Sequence, residues 1–254
     1  MAKVLAVHSF RGGTGKSNLS ANLAVALGLQ GRRVAVIDTD LASPGIHVLF
    51  GFSPEDGQAT LNDHLQGDTP ILKCAHEVTP PDVKRAHGHI WLVPAAMEAD
   101  RIARLLREGY KVEHLNDALY QLAEQLKIDV VIVDTHPGIN EETLLTTAIS
   151  DCLLMVMRPD TQDYLGTAVA IEVAERLDVP AIRLVVNKLP NHFDREQVHQ
   201  RVVDSYGVPI GAILPLSEDL LSLASGGLAV LAFPDHQWSQ QVLSLAADLS
   251  ASVL

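Results

Sequence analysis

Hydrophobic positions along the chain follow two periodicities in turn. Short runs of Val, Ile and Leu, typical of strands covered on both faces, alternate with stretches in which apolar residues recur at helical spacing. The runs predict strands at residues 3–7, 32–38, 90–94, 130–134, 153–157, 182–186 and 209–214. Helical stripes are formed by Leu19, Leu23, Ala26 and Leu27, by Leu115, Leu119, Leu122 and Leu126, and by Leu165, Val169, Val173 and Leu177. The alternation predicts an α/β fold, a doubly wound and mostly parallel sheet with helices on both faces.

Composition limits the size and location of the protein. A chain of 254 residues with 47% apolar content can bury one substantial core, so we expect a single domain over residues 1–254. No apolar run approaches the roughly 18 residues of a membrane span. The N-terminus enters a strand directly, which leaves no room for a signal peptide, and Cys74 and Cys152 lack Cys-x-x-Cys spacing. We therefore predict a cytoplasmic protein with reduced thiols.

Acidic residues outnumber basic ones by 31 to 19, and the formal net charge is −12. This balance disfavours a protein that coats DNA, because such binding depends on many phosphate contacts. A local basic stripe on a predicted helix is formed by Arg101, Arg104, Arg107 and Lys111. We interpret this stripe as a solvated helix face, with a surface for non-specific DNA or for a partner as the alternative.

The region after the first predicted strand carries the most specific chemistry. Residues 8–18 read His-Ser-Phe-Arg-Gly-Gly-Thr-Gly-Lys-Ser-Asn. A strand, a glycine-rich turn ending in Gly-Lys-Ser and a helix form a phosphate-binding loop, although Phe10 stands where the first glycine of the pattern is usual. The glycines let backbone N–H groups point at an anion, and the helix N-terminus adds positive charge. Lys16 would neutralise phosphate oxygens, and the hydroxyl of Ser17 would bind Mg²⁺.

Residues 11–17, Arg-Gly-Gly-Thr-Gly-Lys-Ser, resemble the deviant Walker A motif of the ParA/MinD family of P-loop ATPases, written Lys-Gly-Gly-x-Gly-Lys-Thr/Ser. In that family the first lysine, the signature lysine, reaches across a dimer to the partner's nucleotide. Arg11 occupies its position, keeps the charge and adds a fork suited to phosphate oxygens. The resemblance implies a homodimer with ATP at its interface and with Arg11 acting across it.

Two aspartate segments extend the resemblance. Asp134, followed by Thr-His-Pro-Gly, resembles the Walker B and switch II segment, in which the aspartate holds a water on Mg²⁺. The Asp38-Thr39-Asp40 segment resembles switch I, which implies that Asp38 lies near the metal and that Asp40 positions the attacking water. Residues i and i+2 of a strand face the same side, as a shared site requires. His136 stands where the family has a small residue or proline, and we interpret it as a polar turn residue, with a nucleotide or partner contact as the alternative.

Two later segments also match the family. Residues 184–188, Leu-Val-Val-Asn-Lys, resemble the strand end that recognises the base, which implies that Asn187 offers an acceptor and a donor to adenine. Residues 213–219 and 226–230 resemble the late strand, proline loop and helix, so the resemblance runs from Lys3 to about Leu249. The implied nucleotide contacts are Arg11, Gly12, Gly13, Thr14, Gly15, Lys16, Ser17, Asn18, Asn187 and Pro215. The implied metal ligands are Ser17, Asp38 and Asp134, and the implied catalytic residues are Lys16, Asp40 and Arg11.

The C-terminal stripe distinguishes branches of the family, because MinD-like proteins often end in a basic amphipathic helix that binds membranes. The stripe consists of Val242, Leu245, Ala246, Leu249 and Val253. No Lys or Arg follows Arg201, so the helix lacks the cationic face that anionic lipid attracts. We predict that it docks on the body of the protein and is not a membrane-targeting helix.

The histidines and cysteines do not have the spacing of a metal site. His76, His87 and His89 are close in sequence but have no accompanying ligand pattern, so we interpret them as surface or loop residues. The absence of paired cysteines argues against the iron–sulfur carrier relatives.

Three functions are compatible with these motifs. The leading hypothesis is a switch that dimerises with Mg²⁺ and ATP, hydrolyses ATP slowly to ADP and positions a cargo through an adaptor; chromosomes, plasmids and other large assemblies are the expected cargoes. The second is a biosynthetic or maturation ATPase on the same fold. The third is a nucleotide-binding interaction module with negligible hydrolysis.

Overall fold

The computed structural model describes residues 2–53, 58–110 and 112–254. Their strands are β1 (Lys3–His8), β2 (Arg33–Asp38), β3 (His76–Glu77), β4 (His89–Val93), β5 (Val130–Asp134), β6 (Cys152–Met157), β7 (Ile182–Leu189) and β8 (Ile210–Pro215). All lie in one sheet in the order β3-β4-β2-β5-β1-β6-β7-β8. Every neighbouring pair is parallel except β3 and β4, which are antiparallel.

Helices connect the parallel strands. They are α1 (Lys16–Gly28), α2 (Ile46–Leu49), α3 (Leu61–Leu65), α4 (Ile71–Cys74), α5 (Pro81–Arg85), α6 (Ala99–Glu108), α7 (Val112–Gln125), α8 (Glu141–Ala148), α9 (Thr161–Arg176), α10 (Arg195–Tyr206), α11 (Glu218–Ser222), α12 (Ala229–Ala232) and α13 (Gln237–Ser252). Crossovers of this kind bring the carboxyl ends of the parallel strands to one edge, where ligands of open α/β sheets bind.

Apolar side chains leave the sheet on both faces, as the Val, Ile and Leu runs predict. In β1, Leu5 and Val7 pack with α1, α12 and α13 on one face, whereas Ala6 packs with α9 and α10 on the other. Helices α3, α4 and α7 cover the second face over β2, β4 and β5. The prediction of a doubly wound, mostly parallel sheet is confirmed.

Helix α13 also docks as predicted. Its buried face lies against α1 and β8 and consists of Trp238, Ser239, Val242, Leu245, Ala246 and Leu249. Within the described part of the chain, no helix combines the length and apolarity that crossing a bilayer requires.

The structure corrects several details of the sequence prediction. Strand ends differ by up to three residues, the largest change being the extension of β7 to Leu189. Strand β3 was not expected, because two residues in the irregular region 41–89 carry no strand periodicity. Helix α9 exists where expected, but its predicted stripe is wrong: Leu165 is 69% exposed and Val169 is 49% exposed.

A different set of residues forms the inward face of α9, in which Ile171 lies among several small residues. Gly166, Ala170 and Ala174 are buried there, and they let the helix axis lie close to the sheet. At Gly166 the ring of Phe10 fills the space that a side chain would occupy, since a Cβ atom built on this glycine overlaps the ring. The residue that departs from the phosphate-loop pattern is thus packed against a glycine of α9.

We predict that Gly166→Ala destabilises the protein by about 1–3 kcal/mol, the usual cost of overpacking a close contact. Elsewhere within a helix the same change is stabilising by roughly 0.5–1 kcal/mol, so the sign itself is diagnostic. Urea unfolding measures the effect, and Phe10→Ala is the matched background. In that background the methyl group has room, and Gly166→Ala should cost little or stabilise; an unchanged penalty would contradict the contact.

Candidate functional site

The glycine-rich loop lies between β1 and α1, at the carboxyl edge of the sheet. Gly15 has a φ of 94°, in the left-handed region, and a Cβ atom on it would lie 2.5 Å from the Asn187 amide nitrogen, so only glycine fits. Lys16 begins α1 and is buried, with 7% exposure. The buried hydroxyl of Thr14 has no hydrogen-bond partner among the described residues. An anion in this loop would meet backbone N–H groups and the positive end of α1.

Two carboxylates lie opposite each other beside this loop. Asp38 ends β2, Asp134 ends β5, and the two residues are paired in the register of the parallel strands. Both are buried, with 1% exposure. Burial raises the pKa of Asp38 well above its usual value, and the Asp134 charge raises it further. Burial also raises the pKa of Asp134, although hydrogen bonds from Ser17 and Ser20 and the charge of Lys16 act in the opposite direction.

The donor set around these carboxylates fits a divalent cation. Carboxylate and hydroxyl oxygens are the ligands that Mg²⁺ prefers, and Asp38, Asp134 and Ser17 supply them where the phosphate loop begins its helix. Two buried like charges also favour a compensating positive charge. The structure therefore brings together the three residues predicted as the metal site.

Asp40 lies at the same edge and faces His136. The Nε2 atom of His136 is 3.9 Å from Oδ1 of Asp40, while its Nδ1 donates to the Pro137 carbonyl at 2.6 Å. Oδ1 of Asp40 also accepts from the Ser43 N–H at 3.1 Å. The hydrogen bond from Nδ1 to the backbone fits the interpretation of His136 as a polar turn residue. The second ring nitrogen, Nε2, faces Asp40 instead.

Arg11 contacts its own chain. Its guanidinium lies 3.2 Å from Asp163 and 3.5 Å from Asp160, at the start of α9, and its side chain is 38% exposed. Asp163 is almost completely buried and also pairs with Arg158 at 3.2 Å. In this conformation both partners of Arg11 are carboxylates of the same subunit.

A cavity of about 240 Å³ adjoins the loop where a base would follow the phosphates. Gly15, Asn18, Asn187, Pro215 and Trp238 are among its lining residues. Asn187 also makes contacts outside the cavity: its amide donates to the Thr14 carbonyl at 2.8 Å and its Oδ1 accepts from the Lys188 N–H at 2.9 Å. The indole N–H of Trp238 is a second donor to Oδ1, at 3.4 Å. In this conformation Asn187 fixes the phosphate loop, and its contact with adenine stays a prediction.

The basic stripe lies outside the site, and carboxylates pair with two of its arginines. Arg101 pairs with Asp63 and Glu98, and Arg104 pairs with Asp68 and Glu108. Lys111 lies outside the described residues. These contacts favour the solvated helix face over a DNA surface.

Two of the histidines form hydrogen bonds within the chain, and both cysteines are free. His76 bonds the Ala59 carbonyl and His89 bonds Glu77. Across residues 2–53, 58–110 and 112–254, no group of three His, Cys, Asp or Glu side chains is arranged to hold a metal ion. Cys74 and Cys152 are both free and buried, and burial raises the pKa of each thiol to about 12.

Sequence reasoning missed two residues of the site. Ser20 is completely buried and donates to Asp134 at 2.9 Å; its signal was its position three residues after Ser17, on the same side of α1. His8 lies 2.7 Å from the Thr135 hydroxyl, and burial lowers its pKa to about 3, with Lys16 adding to the effect. A lone histidine at the end of a strand carries no comparable signal.

A strand, a glycine loop and a buried helix N-terminus, with an aspartate ending the neighbouring strand, define a P-loop NTPase. The chain belongs to the ParA family: the family model described as NUBPL iron-transfer P-loop NTPase matches residues 1–250.

Relatives and solved structures agree with this assignment. An uncharacterized ATP-binding protein of Methanocaldococcus jannaschii is 30% identical over 98% of this chain and 88% of its own length. The iron–sulfur cluster carrier protein of Haemophilus influenzae is 27% identical over 98% of this chain and 66% of its own length. The structure of MinD from Pyrococcus horikoshii, complexed with Mg-ADP, superposes with a TM-score of 0.81 at 22% identity and covers 100% of this chain and 98% of its own. That likeness shows the fold.

We predict that Asp38→Asn stabilises the protein without nucleotide at neutral pH. A folded-state pKa above the unfolded value gives stability that is complete below the unfolded pKa and is lost as pH rises through the folded pKa. Removing the charge should therefore raise the free energy of unfolding at pH 7.5, with a smaller gain at pH 5. Each kcal/mol corresponds to about 2–4 °C in Tm.

Urea unfolding at the two pH values checks this expectation, and the exposed Asp117→Asn is the matched control. An equal change at both pH values, or a loss of stability at pH 7.5, would contradict the burial of an ionised carboxylate at this position.

Proposed function

We propose that this protein is a cytoplasmic ATPase that dimerises when it binds ATP with Mg²⁺, hydrolyses ATP slowly to ADP and so positions a cargo through a protein adaptor. The proposal depends on one observation: the phosphate loop, the paired Asp38 and Asp134, and the partly exposed Arg11 all lie at the same edge of the sheet. The family assignment and the Mg-ADP in the structure of MinD support the choice of ligand.

The residues of the site would have separate roles in binding ATP and in hydrolysing it. Lys16 and the loop N–H groups bind the phosphates, and Thr14 supplies a buried hydroxyl that has no partner among the described residues. Ser17, Asp38 and Asp134 would hold Mg²⁺, which when bound neutralises the phosphate charge that develops during transfer. Asp40 orients the attacking water from beside this group. Asn187 and Pro215 shape the cavity for the base, with Asn187 acting through Thr14.

Dimerisation would place Arg11 on the phosphates of the second subunit. Its guanidinium lies at the rim of the site and is 38% exposed, so it can reach outward without unfolding the loop. A cation contributed by a partner is an effective stabiliser of phosphoryl transfer, and it makes hydrolysis depend on association. Slow, partner-stimulated turnover follows from this arrangement.

A maturation ATPase that delivers an iron–sulfur cluster is the second candidate, favoured by the description of the family model and by the name of the Haemophilus influenzae relative. The cysteines of this chain do not support it. A cluster is held by cysteine thiolates that incoming iron can reach, whereas Cys74 on α4 and Cys152 at the start of β6 are both completely buried. We therefore place this function below the dimerisation switch.

We predict that Lys16→Ala loses nearly all ATP affinity, whereas Arg11→Ala keeps it within about threefold but does not dimerise, because a charged contact worth about 1.5–3 kcal/mol is lost only at the interface. Fluorescent nucleotide titration measures the affinity, and light scattering with ATP measures the dimer. Arg107→Ala, on the exposed face of α6, is the control and should behave as wild type. An ATP-dependent dimer of Arg11→Ala would remove the cross-subunit role.

The cluster-carrier function gives a separate prediction. After anaerobic incubation with ferrous iron and sulfide, the protein should show no visible absorption from an iron–sulfur cluster. Wild type and the Cys74→Ser, Cys152→Ser double variant should give the same spectrum. A cluster that forms in wild type and is lost in the double variant would favour the maturation function.

A further inference from the structure

His136 and Asp40 occupy equivalent places in the loops that follow the neighbouring strands β5 and β2. Asp38 and Asp134 are paired at the ends of β2 and β5, and Asp40 and His136 each lie two residues further along the chain, in the loop that follows the strand. The two side chains therefore meet just beyond the predicted metal ligands, and Pro137, next to His136, lies beside Gly12 of the phosphate loop. The two residues are far apart along the chain, and the parallel pairing of β2 and β5 brings them together.

The hydrogen bonds around His136 determine which ring atom faces Asp40. Nδ1 lies 2.6 Å from the Pro137 carbonyl oxygen, which can only accept, so Nδ1 carries the hydrogen. In the neutral ring Nε2 then presents a lone pair, and it points toward Oδ1 of Asp40 at 3.9 Å. The distance exceeds a direct hydrogen bond, and both atoms are acceptors.

Two acceptors at this separation fit one shared donor molecule. A water oxygen at the usual distance of about 2.8 Å from each acceptor closes a triangle on the 3.9 Å gap. The angle at the oxygen is then about 88°, narrower than the angle between the two hydrogens of water, so both hydrogen bonds bend slightly from linear. Such a water gives one hydrogen to Asp40 and the other to His136, and it keeps a lone pair for a third direction.

We propose that His136 is a catalytic residue that shares with Asp40 the task of holding the attacking water; this inference rests on the ATPase activity proposed above. The water oxygen forms a bond to the γ-phosphorus while the bond from that phosphorus to the β–γ bridging oxygen breaks. The electron pair of that bond leaves on ADP, and the water proton passes to a phosphate oxygen. Neither side chain ends the cycle changed.

The surrounding contacts hold both acceptors in place. The Asp40 N–H donates to Asp38 at 3.1 Å, and the Ser43 N–H donates to Oδ1 of Asp40. His136 is fixed by its bond to the backbone and is only partly exposed, at 37%. Among the described residues, the carboxyl group of Glu142, on α8, and the ring of His8 also lie close enough to interact electrostatically with His136. Orientation of this kind lowers the barrier because little reorganisation is left for the reaction itself.

The test compares His136→Ala, His136→Gln and wild type. We expect His136→Ala to lower kcat at least about tenfold while the Kd for a fluorescent ATP analogue and the Tm change little. His136→Gln should recover much of the loss, because its amide oxygen accepts a hydrogen bond at similar reach. Nucleotide extracted from the protein after a fixed time should contain more intact ATP for His136→Ala. The control is His114→Ala, a histidine on α7 whose Nδ1 lies 3.4 Å from the Leu65 carbonyl oxygen.

The outcomes separate this inference from the ATPase itself. Hydrolysis by wild type with an unchanged kcat in His136→Ala leaves the ATPase in place and overturns the role of His136. A loss of ATP affinity equal to the loss of kcat, or a Gln variant no better than Ala, indicates a structural role and also overturns it. Failure of wild type to bind or hydrolyse ATP overturns both proposals.

Discussion

The burial of two facing carboxylates is the constraint on which the site depends. Asp38 and Asp134 are paired across β2 and β5 and are nearly inaccessible to water. Burying charges of the same sign is costly unless hydrogen bonds and a cation compensate. The hydrogen bonds are present: Asp38 accepts from the N–H groups of Asp40 and Gly45, and Asp134 accepts from Ser20. These same bonds fix the segment after β2 and orient α1, so the geometry of the loops follows from how the charges are satisfied.

The two residues that depart from the usual phosphate loop, Phe10 and Arg11, have a structural explanation in common. Phe10 packs on Gly166, and Arg11 pairs with Asp163, so both side chains reach the first turns of α9. A glycine at position 10 could make no such contact, and a side chain at position 166 would displace the ring. The loop is therefore anchored to a helix that also follows β6 directly. Phe10 departs from the motif without weakening the cradle, because the glycines that shape the anion site come after it.

Much of the fold was predictable from sequence because each strand buries both faces and so needs a continuous apolar run. The acidic part of the site was predictable for a related reason, since Asp38 and Asp134 end two of those runs. The buried face of α9 was not predictable, because Leu165 and Val169 have the spacing of a core stripe, whereas Gly166, Ala170 and Ala174, which are buried beside Ile171, have little hydrophobic signal. The engagement of Asn187 depends on a tertiary approach to Thr14, which no local pattern encodes.

The ion pairs that Arg11 makes within its own chain affect the free energy of the proposed dimerisation. To reach the phosphates of a second subunit, Arg11 must leave Asp163, whose carboxylate is only 2% exposed. Leaving a buried charge unpaired costs about 3–5 kcal/mol, which would oppose dimerisation strongly. Arg158 prevents this, because its guanidinium and its backbone N–H both remain on Asp163, at 3.2 Å and 2.9 Å. Releasing Arg11 from Asp163 then costs about as much free energy as losing a surface ion pair, about 0–1 kcal/mol. Contact between Arg11 and a nucleotide phosphate can offset this cost.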